Sequence, residues 1–224
     1  MKSIKLSPSM MCADFLDLKS ELDHLKSSEV ASLHIDVMDG SYVSNFALSA
    51  DLAYRMQEYS AIPLEFHLMV DEVDAKLPLF LKEKENIIIF HPETSRHPVR
   101  IIQQIKDAGC KVGIAIDPSI TVKSFELFLP LVDVVCVMTV NPGFASQKLI
   151  PFCLEKITEL VVLREEKELD FKIEVDGNVS WDNIPGMLKV GADILVLGTS
   201  SVFTTAMPRQ IAFEKLKTLI LQNI

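Results

Sequence analysis

The sequence predicts an α/β protein built as a closed (β/α)8 barrel, and three observations carry that prediction. Eight short, apolar, β-like runs alternate with longer amphipathic stretches, which is the rhythm of repeated βαβ units. Polar residues that interrupt the runs gather mostly at their C-terminal ends, where barrel active sites sit. The chain has 224 residues, 49% of them hydrophobic, a size that one barrel can enclose around a single core. An open doubly wound sheet normally follows its first strand with a glycine-rich phosphate loop. Here the first strand ends in Ser7-Pro8-Ser9-Met10, without a glycine.

In chain order, the first strand is expected at residues 4–9 and is followed by an amphipathic stretch at 15–26. The second strand, at 33–38, leads to a helix at 48–59, and the third, at 64–69, to a helical stretch at 73–84. The fourth strand, at 87–91, precedes a helix at 99–108; Gly109 stands behind that helix as a C-cap would. The fifth, at 111–116, is followed by a short helical stretch at 121–128, and the sixth, at 134–139, by a long helix at 151–167. The seventh strand, at 172–176, leads to Ser180, which is suited to cap a helix over 181–190 that Gly191 ends. The eighth, at 194–198, is followed by a closing helix at 210–222. No linker, low-complexity tract or shift in composition divides the chain, so residues 1–224 read as a single domain.

Net charge is −9, which argues against nucleic acid or an anionic membrane as the main partner. An acidic protein that binds a phosphorylated molecule must then rely on local backbone amides, helix N-termini or a metal. No apolar run is long enough to span a membrane, and the stretch Met1 to Met11 carries two lysines but no apolar signal core. A cytoplasmic location is expected. Cys12, Cys110, Cys136 and Cys153 are scattered, with no CxxC pair, and read as packed thiols.

Strands of a parallel barrel are covered on both faces and should be apolar, so a polar residue within one is costly unless paired or functional. The second strand reads Leu33-His34-Ile35-Asp36-Val37-Met38, and alternation puts His34, Asp36 and Met38 on one face. The third puts Glu65, His67 and Met69 together, and the seventh Glu174 and Asp176. Two histidines and two aspartates, His34, Asp36, His67 and Asp176, form a donor set suited to one divalent ion such as Zn, Fe, Co or Mn. Glu65 and Glu174 lie deeper and read as supporting groups. Asp36 and Asp176 project from strands on roughly opposite sides of the ring. They are placed to take a proton from one face of a flat enediolate and return one to the other, while a metal on its oxygens offsets the charge. Met38, Met69 and Met138 end strands with inward parity, either as core filling or as an apolar cap over such an intermediate. Three loops offer amides to a phosphate: Asn141 to Ser146 after the sixth strand, Gly177-Asn178 after the seventh and Gly198 to Ser201 after the eighth.

These residues, in this order, resemble the ribulose-phosphate 3-epimerase family, from Ser7 to Phe203. The stretches that carry the resemblance are His34-Ile35-Asp36-Val37-Met38-Asp39-Gly40, His67-Leu68-Met69-Val70, Val137-Met138-Thr139-Val140-Asn141-Pro142-Gly143-Phe144 and Glu174-Val175-Asp176-Gly177. The resemblance implies a TIM barrel of the ribulose-phosphate-binding type that inverts carbon 3 of a ketose phosphate with one divalent metal ion. It implies His34, Asp36, His67 and Asp176 as metal ligands, with Asp36 and Asp176 also the catalytic acid/base pair. Substrate would meet Ser9, His67 and the methionines Met38, Met69 and Met138. Its phosphate would lie against Gly143, Phe144, Ala145, Ser146, Gly177, Asn178, Thr199 and Ser200. A homo-oligomer is implied as well.

The chain departs from the family's usual pattern at Ala145-Ser146, where a Gly-Gly pair is common, and at Asn178 and Thr199 in the other two phosphate loops. Val43-Ser44-Asn45 replaces the usual Val-Pro-Asn. Four stretches look more like the allulose-6-phosphate 3-epimerase branch: His91-Pro92-Glu93-Thr94, Met138-Thr139-Val140, Gly143-Phe144-Ala145 and Gly198-Thr199-Ser200. The favoured substrate is therefore D-allulose 6-phosphate, with D-ribulose 5-phosphate the alternative. Related barrel decarboxylases and aldolases typically carry an Asp-x-Lys-x-x-Asp cluster, and the third strand, His67-Leu68-Met69, lacks that lysine. A non-catalytic barrel that only binds a sugar phosphate would not need both aspartates.

Overall fold

A computed structural model describes residues 3–224; Met1 and Lys2, which the single-domain and leader-peptide readings include, lie outside the described residues. Eight strands are present: β1 (Lys5–Pro8), β2 (Leu33–Met38), β3 (Leu64–Met69), β4 (Ile87–Phe90), β5 (Lys111–Ile116), β6 (Val134–Met138), β7 (Lys172–Asp176) and β8 (Ile194–Leu197). All pair in parallel, in the order β1-β8-β7-β6-β5-β4-β3-β2. The seam between β1 and β2 is narrower than the other junctions. A single parallel bridge joins Ser9 to His34, the Ala31 amide donates to the Leu6 carbonyl at 2.9 Å, and the Ser7 and Ser32 hydroxyls meet at 2.8 Å. The expected (β/α)8 barrel is therefore the observed architecture.

The helices are α1 (Leu18–Ser27), α2 (Ala50–Ser60), α3 (Val73–Lys76), α4 (Pro98–Asp107), α5 (Cys153–Glu166), α6 (Ile184–Val190) and α7 (Arg209–Leu221). Four predictions from the sequence need correction. The stretch 73–84 holds only one α-helical turn before Pro78 tightens it into a 3-10 turn over Leu77–Phe80. The stretch 121–128 forms a 3-10 turn over Val122–Phe125, and Pro130 sits in a second over Leu129–Leu131, so the β5–β6 connection has no α-helix. The first helix starts at Leu18 rather than at residue 15, because the Asp14 carboxylate accepts the Leu16 amide at 2.9 Å and holds a turn there. Residues 181–183 form turns, with the Ser180 hydroxyl accepting the Asn183 amide at 3.3 Å, and the helix proper begins at Ile184. Gly191 caps α6 in the left-handed region, as its position predicts.

Two apolar layers result. Outward-facing strand residues such as Ile35, Val37, Phe66, Leu68, Ile114 and Val175 pack under Leu25, Met56, Ile105, Ile157 and Leu216 of the helices. Inside the barrel, Ile89, Ala115, Val134, Cys136, Met138 and Ile194 make a smaller cluster. Gly113 faces Ile89 across the β4–β5 register. A Cβ there would stand 2.6 Å from Ile89 Cγ1 and 3.3 Å from its Cα. Gly113→Ala should therefore cost about 1–3 kcal/mol of overpacking. An unchanged denaturant midpoint would contradict this view of the interior.

Candidate active site

Strand register brings the polar interior positions together. Asp36 pairs with His67 across β2–β3, Met38 with Met69, and Met138 with Asp176 across β6–β7. The parity read from the sequence is the parity in the structure, so His34, Asp36, His67 and Asp176 converge at the C-terminal end of the barrel. One donor atom from each lies within 4.8 Å of the others, a grouping able to hold a metal ion. His34 Nε2 stands 3.5 Å from Asp36 Oδ1 and 3.7 Å from Asp176 Oδ2. His67 Nδ1 stands 3.6 Å and 3.3 Å from the same two oxygens.

Both imidazole nitrogens are buried and lack a hydrogen-bond partner. Buried polar atoms left unsatisfied are uncommon and call for a reason. Here the two that converge face two carboxylates, the donor chemistry of a borderline divalent ion. The opposite ring nitrogens are engaged, His34 Nδ1 with Glu65 Oε1 at 2.8 Å and His67 Nε2 with His91 Nε2 at 3.1 Å. Supporting bonds of this kind orient metal-binding histidines.

The charges are strongly coupled. Burial works against a charged His34, yet Asp36, Glu65 and Asp176 outweigh it and hold the imidazole well above its usual 6.5. His67 is raised in the same way, against burial, by Asp176 and Asp36. Asp36 is lowered in spite of burial, by His34 and His67. Deeper, burial opposes ionisation of Glu65, but His34 and Ser7 keep it low. Glu174 is pushed well up by burial and by the neighbouring Glu65, so the lower pair carries one charge rather than two. Burial pulls His91 down. The Ser9 hydroxyl donates to Asp36 Oδ2 at 2.5 Å, which leaves Oδ1 toward the histidines. The Asp36 side chain is 7% exposed and that of Asp176 17%, so Asp176 is the more open to the cleft.

Above these groups lies a cleft open to solvent. Ser9, Asp36, Asp176 and the methionines Met38, Met69 and Met138 line it, together with Gly143, Phe144, Ala145, Ser146, Gly177, Asn178, Thr199 and Ser200. His34 and His67 do not line it; both are fully buried beneath its floor. Met69 and Met38 pack with Val43 in a small cluster at the top of the barrel. The three loops form one rim. Ser146 Oγ and Thr199 Oγ1 approach to 3.5 Å, and the Asn45 amide donates to the Gly143 carbonyl at 2.8 Å. Gly177 has φ +115°, and a Cβ there would meet the Val140 backbone nitrogen at 2.9 Å, so only glycine fits. Asn178, where the family commonly has glycine, also has positive φ. Its side-chain amide donates to the Gln147 carbonyl, and its carbonyl oxygens accept from Asn183 at 3.0 and 2.7 Å.

Met11, Cys12 and Gln147 also line the cleft and were not singled out from sequence. Nor was His91 as a partner of His67. Its signal was present: Ile87, Ile89 and His91 share the inward parity of the fourth strand.

Comparison with known proteins points one way. A sequence model described as the ribulose-phosphate 3-epimerase family matches residues 5–203. Ribulose-phosphate 3-epimerase 1 of Cupriavidus necator is 39% identical over 207 residues, covering 90% of this chain and 85% of that protein. The ribulose-phosphate 3-epimerase of Treponema pallidum is 37% identical over 199 residues, covering 89% of this chain and 91% of its own. Among solved structures, 3-hexulose-6-phosphate synthase from Salmonella typhimurium superposes with a TM-score of 0.72 at 13% identity, over 99% of this chain and 100% of that one. At that identity the likeness speaks for the barrel alone.

Proposed function

This chain belongs to the ribulose-phosphate 3-epimerase family, isomerases that act on sugar phosphates, and on that premise we propose that it inverts carbon 3 of a ketose phosphate with Asp36 and Asp176 as its acid/base pair. The observation that carries the reading is the convergence of His34, Asp36, His67 and Asp176 beneath an open cleft. A divalent ion held by these four residues would supply Lewis-acid stabilisation of the negative charge that develops when the carbon acid ionises. The residues themselves do the rest. Asp176, open to the cleft, and Asp36, fixed by Ser9, meet the substrate from strands three places apart around the ring. One carboxylate takes the proton from carbon 3, and the other carboxyl delivers a proton to the opposite face. Met38, Met69 and Met138 give the cleft an apolar wall that keeps water from protonating the intermediate at random. The rim loops receive the phosphate on backbone amides and the hydroxyls of Ser146, Thr199 and Ser200.

Of the two substrates, D-allulose 6-phosphate is favoured by the stretches that resemble the allulose-6-phosphate branch: His91-Pro92-Glu93-Thr94, Met138-Thr139-Val140, Gly143-Phe144-Ala145 and Gly198-Thr199-Ser200. D-ribulose 5-phosphate is favoured by the names of the curated relatives. Steady-state kinetics of the metal-loaded protein on each compound decides between them. The proposed preference predicts a higher kcat/KM for the hexulose phosphate; the reverse ratio would assign the pentulose phosphate, and no turnover of either would remove the epimerase reading. The four free cysteines are in keeping with a reducing, cytoplasmic setting. No helix among the described residues is long and apolar enough to cross a membrane. A homo-oligomer is proposed on the ground of the family resemblance.

A further inference from the structure

We propose that Glu93, His91 and His67 form a proton-ordered chain that fixes the tautomer of His67 and so prepares its Nδ1 for the metal, making His91 and Glu93 positioning residues for the centre. The inference rests on the metal reading above. Its starting point is that two imidazole nitrogens, His67 Nε2 and His91 Nε2, face each other at 3.1 Å. Such a contact holds one proton between two neutral rings. If His67 Nδ1, unpaired and turned to Asp176 at 3.3 Å, is to offer a lone pair, the proton must sit on His67 Nε2. His91 Nε2 is then the acceptor, and the His91 proton is on Nδ1. That atom has acceptors in reach, Tyr42 Oη at 3.0 Å and Glu93 Oε1 at 3.2 Å. Tyr42 also donates its hydroxyl to Glu93 Oε1 at 2.9 Å, which holds the carboxylate in place.

Every direction in the chain follows from its ends. Glu93 is a carboxylate and only accepts; the metal-facing nitrogen of His67 must have no proton. Packing keeps the register. The His67 and His91 rings stack with centroids 5.2 Å apart and planes 22° from parallel, and both are fully buried. The arrangement gives His67 what Glu65 gives His34, a carboxylate behind the ring, but through one further imidazole.

The test is zinc affinity, measured by competition with a chromophoric chelator, beside ¹⁵N NMR of the histidine rings in the zinc-loaded protein. His91→Phe keeps a flat ring stacked on His67 but removes the acceptor. Zinc should bind about 10- to 100-fold more weakly, the usual cost of losing a partner behind a metal-binding histidine, and the His67 Nε2 proton should lose its protection from exchange. His91→Gln restores an acceptor and should recover most of the affinity. Glu93→Gln lies at the edge of the network and guards against a folding defect in the other two. It should weaken zinc about tenfold, the lower end of that range. Wild-type affinity in His91→Phe, or unchanged affinity in Glu93→Gln, would overturn the chain. Equal losses in His91→Phe and His91→Gln would reduce His91 to packing and overturn it too. A wild-type protein that takes up no zinc would instead remove the metal reading on which the inference rests.

Discussion

Asp176→Asn should lower kcat/KM by about 10³-fold or more while leaving the barrel folded. The expected loss has two sources. An amide cannot exchange a proton with carbon, which removes a general acid/base worth about 10²–10⁴ in rate. It is also a weaker ligand than a carboxylate 3.3 Å from His67 Nδ1 and 3.7 Å from His34 Nε2. Assay at saturating metal separates the two, because the ligand defect is then titrated away and the proton-transfer defect is not. Shape is preserved, and Asp176 ends its strand at the cleft rather than inside the apolar layers, so circular dichroism and the denaturant midpoint should stay near wild type. A variant retaining full activity at saturating metal would sink the two-aspartate scheme.

Removal of the metal is the second large effect. Treatment with a strong chelator should abolish turnover, and a divalent ion should restore it. The pH dependence has a definite sign. Without metal, His34 and His67 are held above their usual 6.5 by the surrounding carboxylates. A metal must displace those protons, so its apparent affinity should rise with pH, by up to about tenfold per unit for each proton released. Stability follows the opposite course in the metal-free protein. A raised folded pKa contributes stability that is complete below the unfolded value, 6.5 for an imidazole, and is lost as pH rises through the folded values. The chelated protein should therefore melt at progressively lower temperature above neutral pH, and the metal-loaded protein should lack this trend. Identical pH–Tm curves for the two forms would contradict the assignment of the four side chains to one ion.

Much of this site was legible in the sequence because barrel strands obey a strict parity. Once residues 33–38, 64–69 and 172–176 are strands, period-2 alternation alone turns His34, Asp36, His67 and Asp176 inward, and parallel register brings them level. Polar side chains stand out against strands that are otherwise apolar. What alternation does not carry is orientation beyond the strand. That Asp36 spends one oxygen on Ser9 depends on how the chain turns just past β1, and that Asn178 spends its amide on the Gln147 carbonyl depends on loop conformations with positive φ at Ser146 and Asn178. His91 is legible as the end of the fourth strand and as part of His91-Pro92-Glu93-Thr94, but its place behind His67 is not, because the rest of the strand is a plain Ile-Ile-Ile-Phe core segment. The two helical stretches read too generously, 73–84 and 121–128, contain prolines or are followed by them, and the short 3-10 turns found there satisfy the same apolar contacts with fewer residues.

The measurement that bears most directly on the central claim is NMR of the turnover mixture in D₂O at early conversion, with the metal-loaded protein and either ketose phosphate. Two aspartates serving opposite faces predict deuterium at carbon 3 of the inverted product, while the recovered substrate keeps its protium there. Product formed without deuterium, or label appearing equally in substrate and product from the first turnovers, would contradict proton transfer by two separate carboxylates.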